Sequence, residues 1–140
     1  MIKRIHHIGI AVADPVASAD FYGGTLGLAD GGAETVPSQQ TRVHFFPVGD
    51  SRFELLHPDE PGSAVARFLE KRGPGVHHIC LEVDDLDAEV ARLRAAGVQF
   101  LSDAPQAGAH GARVIFLHPR SCFGVLMELN EFPRAQEEPA

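Results

Sequence analysis

The chain has 140 residues, 44% of them hydrophobic and 22% charged, which reads as one water-soluble globular domain and excludes disordered and collagen-like classes. Twelve Lys and Arg stand against nineteen Asp and Glu, a formal net charge of -7, so the chain lacks the basic footprint that a phosphate backbone or an anionic lipid surface requires, and neither is expected as a partner. Eight histidines with no tryptophan are the compositional oddity.

Met1-Ile2-Lys3-Arg4 leads directly into patterned sequence, with neither a signal-peptide core nor a membrane span, and a cytoplasmic location is expected. The next segment, Ile5-His6-His7-Ile8-Gly9-Ile10-Ala11-Val12-Ala13-Asp14, alternates like a strand. It recurs without a gap as Val76-His77-His78-Ile79-Cys80-Leu81-Glu82-Val83-Asp84-Asp85, an offset of 71 residues. A helical pattern follows each copy: Val16, Ala19, Tyr22 and Leu26 in the first, Leu86, Val90, Leu93 and Ala96 in the second. Asp14 before Pro15 reads as an N-cap, as does Asp85, and Gly27 and Gly97 close the two helices.

Strands come next. Val43-His44-Phe45-Phe46 matches Val114-Ile115-Phe116-Leu117 at the same offset, and Phe53 to Leu56 and Val125 to Leu129 follow, each after a glycine-containing turn. The pattern predicts two tandem βαβββ units, residues 5–57 and 76–130, in an α+β fold with a cupped mixed β-sheet and helices outside. Residues 58–75 are expected to form a linker with a short helix over Ser63 to Lys71, and residues 133–140 a frayed tail. Cys80 and Cys122 have no CxxC spacing and are expected as buried, reduced thiols.

Side chains alternate faces along a strand. Ile8, Ile10 and Val12 share one face and His7, Gly9 and Ala11 the other; Ile79, Leu81 and Val83 share one and His78, Cys80 and Glu82 the other. The aliphatic faces belong under the helices, which puts His7 and His78 on the concave side. In the last strands Glu54 lies opposite Phe53 and Leu55, and Glu128 opposite Met127 and Leu129. Two imidazoles and two carboxylates, one from each of four strands, suit a divalent ion that keeps open positions for water or substrate. A lone strand histidine is ordinarily a solvated or satisfied side chain, which is the reading for His6, His77, His57 and His118. The internal duplication makes His7, His78, Glu54 and Glu128 the expected ligands.

These residues, with the segments Phe68 to Gly73, Gly108-Ala109-His110-Gly111, Val114 to Ser121 and Gly124 to Leu129, resemble the vicinal oxygen chelate superfamily, and within it the methylmalonyl-CoA epimerases, from about Ile5 to Asn130. The resemblance implies interconversion of (R)- and (S)-methylmalonyl-CoA through a metal-stabilised enolate, with cobalt the first expectation for the ion and manganese, nickel or zinc the others. It also implies a homodimer and a dual role for Glu128 as ligand and catalytic base. A second acid/base is needed to invert C2. Some family members carry a glutamate where this chain has Val43, and the neighbouring His44, Glu54 or water are the candidates. Arg120, Ser121, Gly108 and Gly111 are candidate CoA contacts. Glyoxalase I, with the same two-His, two-Glu ligand set, is the rival enzyme, and a non-catalytic ligand-binding module of the same fold is the other alternative.

Overall fold

The computed structural model describes residues 1–133. The eight strands are β1 (Ile2–Ala11), β2 (Ala33–Val36), β3 (Thr41–Val48), β4 (Ser51–Pro58), β5 (Gly75–Val83), β6 (Gln106–Ala107), β7 (Arg113–Leu117) and β8 (Met127–Glu131). The helices are α1 (Pro15–Ala19), α2 (Ala64–Arg72) and α3 (Leu86–Ala95), so the βαβββ order occurs twice. Two compact units result, and β1 is divided between them: His7 to His77 form one, and Met1–His6 with residues 78–133 form the other.

In the first unit the strand order is β2-β3-β4-β1. β1 runs parallel to β4, with Gly9 beside Glu54 and Ile10 beside Leu55, while β3 is antiparallel to β4, with Phe45 opposite Glu54 and His44 opposite Leu55. Val12, Phe46 and Leu55 form its core, with Ile10, Ala19, Tyr22, Leu28 and Phe53 packed against them. The side chain of Asp14 accepts from the Ala17 amide at 3.0 Å and Pro15 occupies the first turn, so the start of α1 is as the sequence predicts. Its continuation differs. The expected helix over Val16 to Leu26 is α-helical only to Ala19 and then widens into a π-helical turn, Asp20–Thr25. Gly23 and Gly24 weaken α-helical closure here, and a Cβ at Gly23 would lie 3.2 Å from the Phe46 ring. The wide turn lays Tyr22 against Phe46 and Phe53, and Val16, part of the predicted helical stripe, is 72% exposed. α2 begins at its Ser63 cap, whose hydroxyl accepts from the Ala66 amide, and ends at Gly73.

In the second unit β5, β8, β7 and β6 follow in that order, and the first residues of β1 run beside β5. That attachment is electrostatic as well as through the backbone. The Arg4 guanidinium donates twice to Glu82 at 3.0 and 2.8 Å, Lys3 stands 3.3 Å from the same carboxylate, and the Asp84 amide donates to the Met1 carbonyl. β5 is parallel to β8, with Cys80 beside Glu128, and β7 is antiparallel to β8, with Phe116 opposite Glu128. The core is Val83, Leu86, Val90, Ile115, Leu117 and Leu129. α3 starts at Asp85, which caps the Ala88 amide, and Glu131 accepts from Leu86. Gly97 closes it at φ +93°, a conformation that favours glycine. β8 starts at Met127, two residues later than the sequence pattern suggests, because Phe123 and Gly124 turn through positive φ and leave Val125 40% exposed.

Candidate metal centre

Each unit buries one histidine against one glutamate. His7 Nδ1 lies 3.0 Å from Glu54 Oε2, and His78 Nε2 lies 3.1 Å from Glu128 Oε1. All four residues are 4–6% exposed. The two arrangements share a register. His7 precedes by two residues the Gly9 that pairs with Glu54, and His78 precedes by two the Cys80 that pairs with Glu128. Parity then aims each imidazole and its carboxylate to one side of the sheet, as the duplicated sequence predicts. In the second unit the Phe116 ring meets His78 edge-on at 5.5 Å and fixes its plane.

Burying a carboxylate in an aliphatic strand requires a compensating partner. A divalent ion with ligand bonds of about 2.1 Å places adjacent ligand atoms about 3.0 Å apart, the octahedral diagonal, and both nitrogen–oxygen separations have this length. Imidazole nitrogen with carboxylate oxygen is also the donor mixture that first-row divalent metals take. The chemistry of the donors in each pair therefore suits a divalent ion.

His44 lies on the strand face opposite Glu54's. It faces Leu55 across the β3–β4 ladder, whereas Phe45 faces Glu54, so strand alternation turns His44 away from the Glu54 side. Its Nε2 meets Asp30 Oδ1 at 2.8 Å instead, and Asp30 is held below the usual carboxylate range by the Gly32 amide first and His44 second. His44 therefore stands apart from the carboxylate it would have to complement as second acid/base.

The expected CoA contacts have local structural occupations. Ser121 Oγ accepts from the Gln99 amide at 2.9 Å, and the Arg120 amide donates to His118 Nδ1 at 3.0 Å within the short 3-10 turn Pro119–Cys122. Gly111 has φ +74°, and Gly108 lies so close to Val114 that a Cβ would be 2.6 Å from its Cγ1. Three other histidines make local contacts: His57 Nδ1 donates to the Val12 carbonyl, His6 packs on Phe132, and His77 meets Phe68 edge-on. Cys80 is fully buried, and burial raises the Cys122 thiol pKa, so neither is a ready thiolate.

Two buried polar residues carried no role in the sequence reading. Arg52, 5% exposed, shares the Glu54 side of β4 and places its guanidinium 5.7 Å over the Phe45 ring. Asn130, 2% exposed, shares the Glu128 side of β8, and its Oδ1 has no hydrogen-bond partner among the described residues. Period-two parity from Glu54 and Glu128 was the available signal for both.

Residues 6–116 match the Glyoxalase/Bleomycin resistance protein/Dioxygenase superfamily, and the chain belongs to that family. A relative from Cereibacter sphaeroides, named ethylmalonyl-CoA/methylmalonyl-CoA epimerase, is 44% identical over 94% of this chain and 99% of its own. Among solved structures, the methylmalonyl-CoA epimerase of Mycobacterium tuberculosis superposes with a TM-score of 0.92 at 34% identity, covering 96% of this chain and 91% of that one. A Streptomyces coelicolor methylmalonyl-CoA epimerase variant, solved with 2-nitronate-propionyl-CoA, superposes with a TM-score of 0.89 at 40% identity, covering 94% of this chain and 99% of that one. The fold is that of these enzymes.

Proposed function

We propose that this chain is a methylmalonyl-CoA epimerase in which His7, Glu54, His78 and Glu128 together hold one divalent ion. The observation that carries the reading is the pair of buried His–Glu contacts in equivalent registers, supported by relatives that share this fold over nearly the whole chain. Cobalt is the first choice for the ion, with manganese, nickel and zinc accepted by the same nitrogen and oxygen donors. Bound there, the ion supplies Lewis acidity toward the thioester oxygen and a template for the neighbouring carboxylate. The residues do the rest. Glu128 accepts the proton from C2 as the carbon–hydrogen bond breaks, and the electron pair delocalises toward the thioester. C2 becomes planar, the geometry that a nitronate also presents at that carbon. A proton delivered to the opposite face by Glu54 in its carboxylic acid form gives the other epimer and leaves Glu54 ionised and Glu128 protonated, the pair exchanging roles in the reverse direction. Burial of all four side chains keeps bulk water from competing for the carbanion.

The decisive assay follows deuterium incorporation at C2 of methylmalonyl-CoA in deuterated water, with and without chelator, alongside elemental analysis of the purified protein. Exchange and racemisation should require metal, and Glu128→Gln should abolish both while the protein still melts cooperatively. A fully active Glu128→Gln variant, or the absence of exchange with all four metals, refutes the reading. A homodimer, which the resemblance implies, is checked by light scattering. Among the described residues no helix is long and apolar enough to cross a membrane.

A further inference from the structure

A cavity of about 380 Å³ lies in the first unit between α1 and the β3–β4 ladder, and it plays no part in the chemistry above. Its strand wall carries Arg42, His44, Leu55 and His57, with His44 opposite Leu55 and Arg42 opposite His57. Those side chains occupy the face that alternation sets against Glu54's. Val12, Pro15, Val16 and Ala19 supply aliphatic surface, and Asp20 stands at the α1 side, where the helix widens into its π turn, a feature frequent at functional sites.

The charges at this cavity are distinctive. Neither the Arg42 guanidinium nor the Asp20 carboxylate makes a hydrogen bond or ion pair among the described residues, and both are exposed. The histidines are oriented. His57 uses Nδ1 on the Val12 carbonyl, which leaves Nε2 as an acceptor, and His44 uses Nε2 on Asp30, which leaves Nδ1. An uncommitted cation, an uncommitted anion and two acceptor nitrogens therefore surround an aliphatic pocket with room for roughly a dozen water molecules. A small zwitterion with an aliphatic tail uses all of these features at once. We propose that this cavity binds a free α-amino acid with an aliphatic side chain, its carboxylate on Arg42, its ammonium on Asp20 with the histidine nitrogens, and its side chain against Val12, Ala19 and Leu55. The site is separate from the proposed metal centre, because the cavity and Glu54 occupy opposite faces of β4.

The test titrates L-leucine into the metal-saturated and the chelated protein and follows backbone amides by NMR. Isocaproate, isoamylamine and glycine serve as probes that lack the ammonium, the carboxylate and the aliphatic side chain respectively. Saturable one-to-one binding in the range of roughly 0.1 to 1 mM is expected, with shifts centred on Val12, Ala19, Asp20 and His57 and equal affinity with and without metal. Each of the three analogues should bind at least about ten-fold more weakly. Arg42→Gln and Asp20→Asn should each weaken leucine at least about ten-fold with an unchanged melting temperature, and Ala19→Phe, which fills the cavity, should abolish binding. Isocaproate binding as tightly as leucine overturns the proposal. So does the absence of any shift at these residues up to about 20 mM leucine, or wild-type affinity in both charge variants.

Discussion

Replacing Gly108 by alanine distinguishes two accounts of the Gly108–Gly111 loop. At φ −116° and ψ −167° the backbone accepts any L residue, so the substitution is not strained conformationally. The obstacle is packing. The new Cβ would sit 2.6 Å from Val114 Cγ1 and 3.4 Å from Cγ2, about 1 Å inside ordinary contact. Val114 has little room to yield. It is 4% exposed, β-branched, and paired on both sides, with Gln106 on β6 and Asn130 on β8. Overpacking of this kind costs about 1–3 kcal/mol. With a urea m-value near 2 kcal/mol/M, a cost of about 2 kcal/mol lowers the unfolding midpoint by about 1 M. Val114→Ala alone costs about 1.6 kcal/mol for its two lost methylene equivalents. Gly108→Ala combined with Val114→Ala should be no less stable than Val114→Ala, a favourable coupling of about 2 kcal/mol. Urea melts of the four proteins, paired with methylmalonyl-CoA kinetics, read out both accounts. If Gly108→Ala stays within about 0.5 kcal/mol of the parent while KM rises several-fold, the packing argument is wrong and the glycine serves close approach of the ligand instead.

Arg4→Met removes a guanidinium that donates twice to a Glu82 carboxylate only 11% exposed; with Lys3 still 3.3 Å away, the loss should be about 1–2 kcal/mol, and Arg4→Met with Glu82→Met should recover most of it in urea melts. Phe123 holds φ +57° while fully exposed, so Phe123→Gly relieves left-handed strain without losing packing and should raise stability by about 0.5–1 kcal/mol after the entropy of the added glycine is deducted. The Asp30 carboxyl should titrate below its ordinary value of about 3.9 in a carbon-detected NMR titration. A depressed folded-state value means that its contribution to stability is complete above that ordinary value and is lost as pH falls through the folded one. His44→Gln should leave most of the depression, because the Gly32 amide is the larger cause.

The duplicated unit, its order of elements along the chain and the faces of His7, Glu54, His78 and Glu128 were legible in the sequence, since an offset of 71 residues aligns two copies and period-two alternation assigns each side chain a face. Both are local properties that pleating imposes whatever else the chain does. The helix caps were legible for the same reason: Asp14, Ser63 and Asp85 each satisfy an amide three residues on. Tertiary structure decided what depends on distant partners. The π turn over Asp20–Thr25 arises because Tyr22 must reach Phe46 and Phe53, and no helical periodicity announces that demand. The division of β1 follows from Glu82 drawing Arg4 and Lys3, residues 78 or more positions away. Gly108 reads from sequence as a candidate CoA contact, and only the 2.6 Å approach to Val114 shows a packing reason for it. Sequence thus determined which face each candidate ligand occupies, because alternation is a backbone property. Which uncommitted charges and cavities those faces enclose was settled only once packing brought separate strands and helices together.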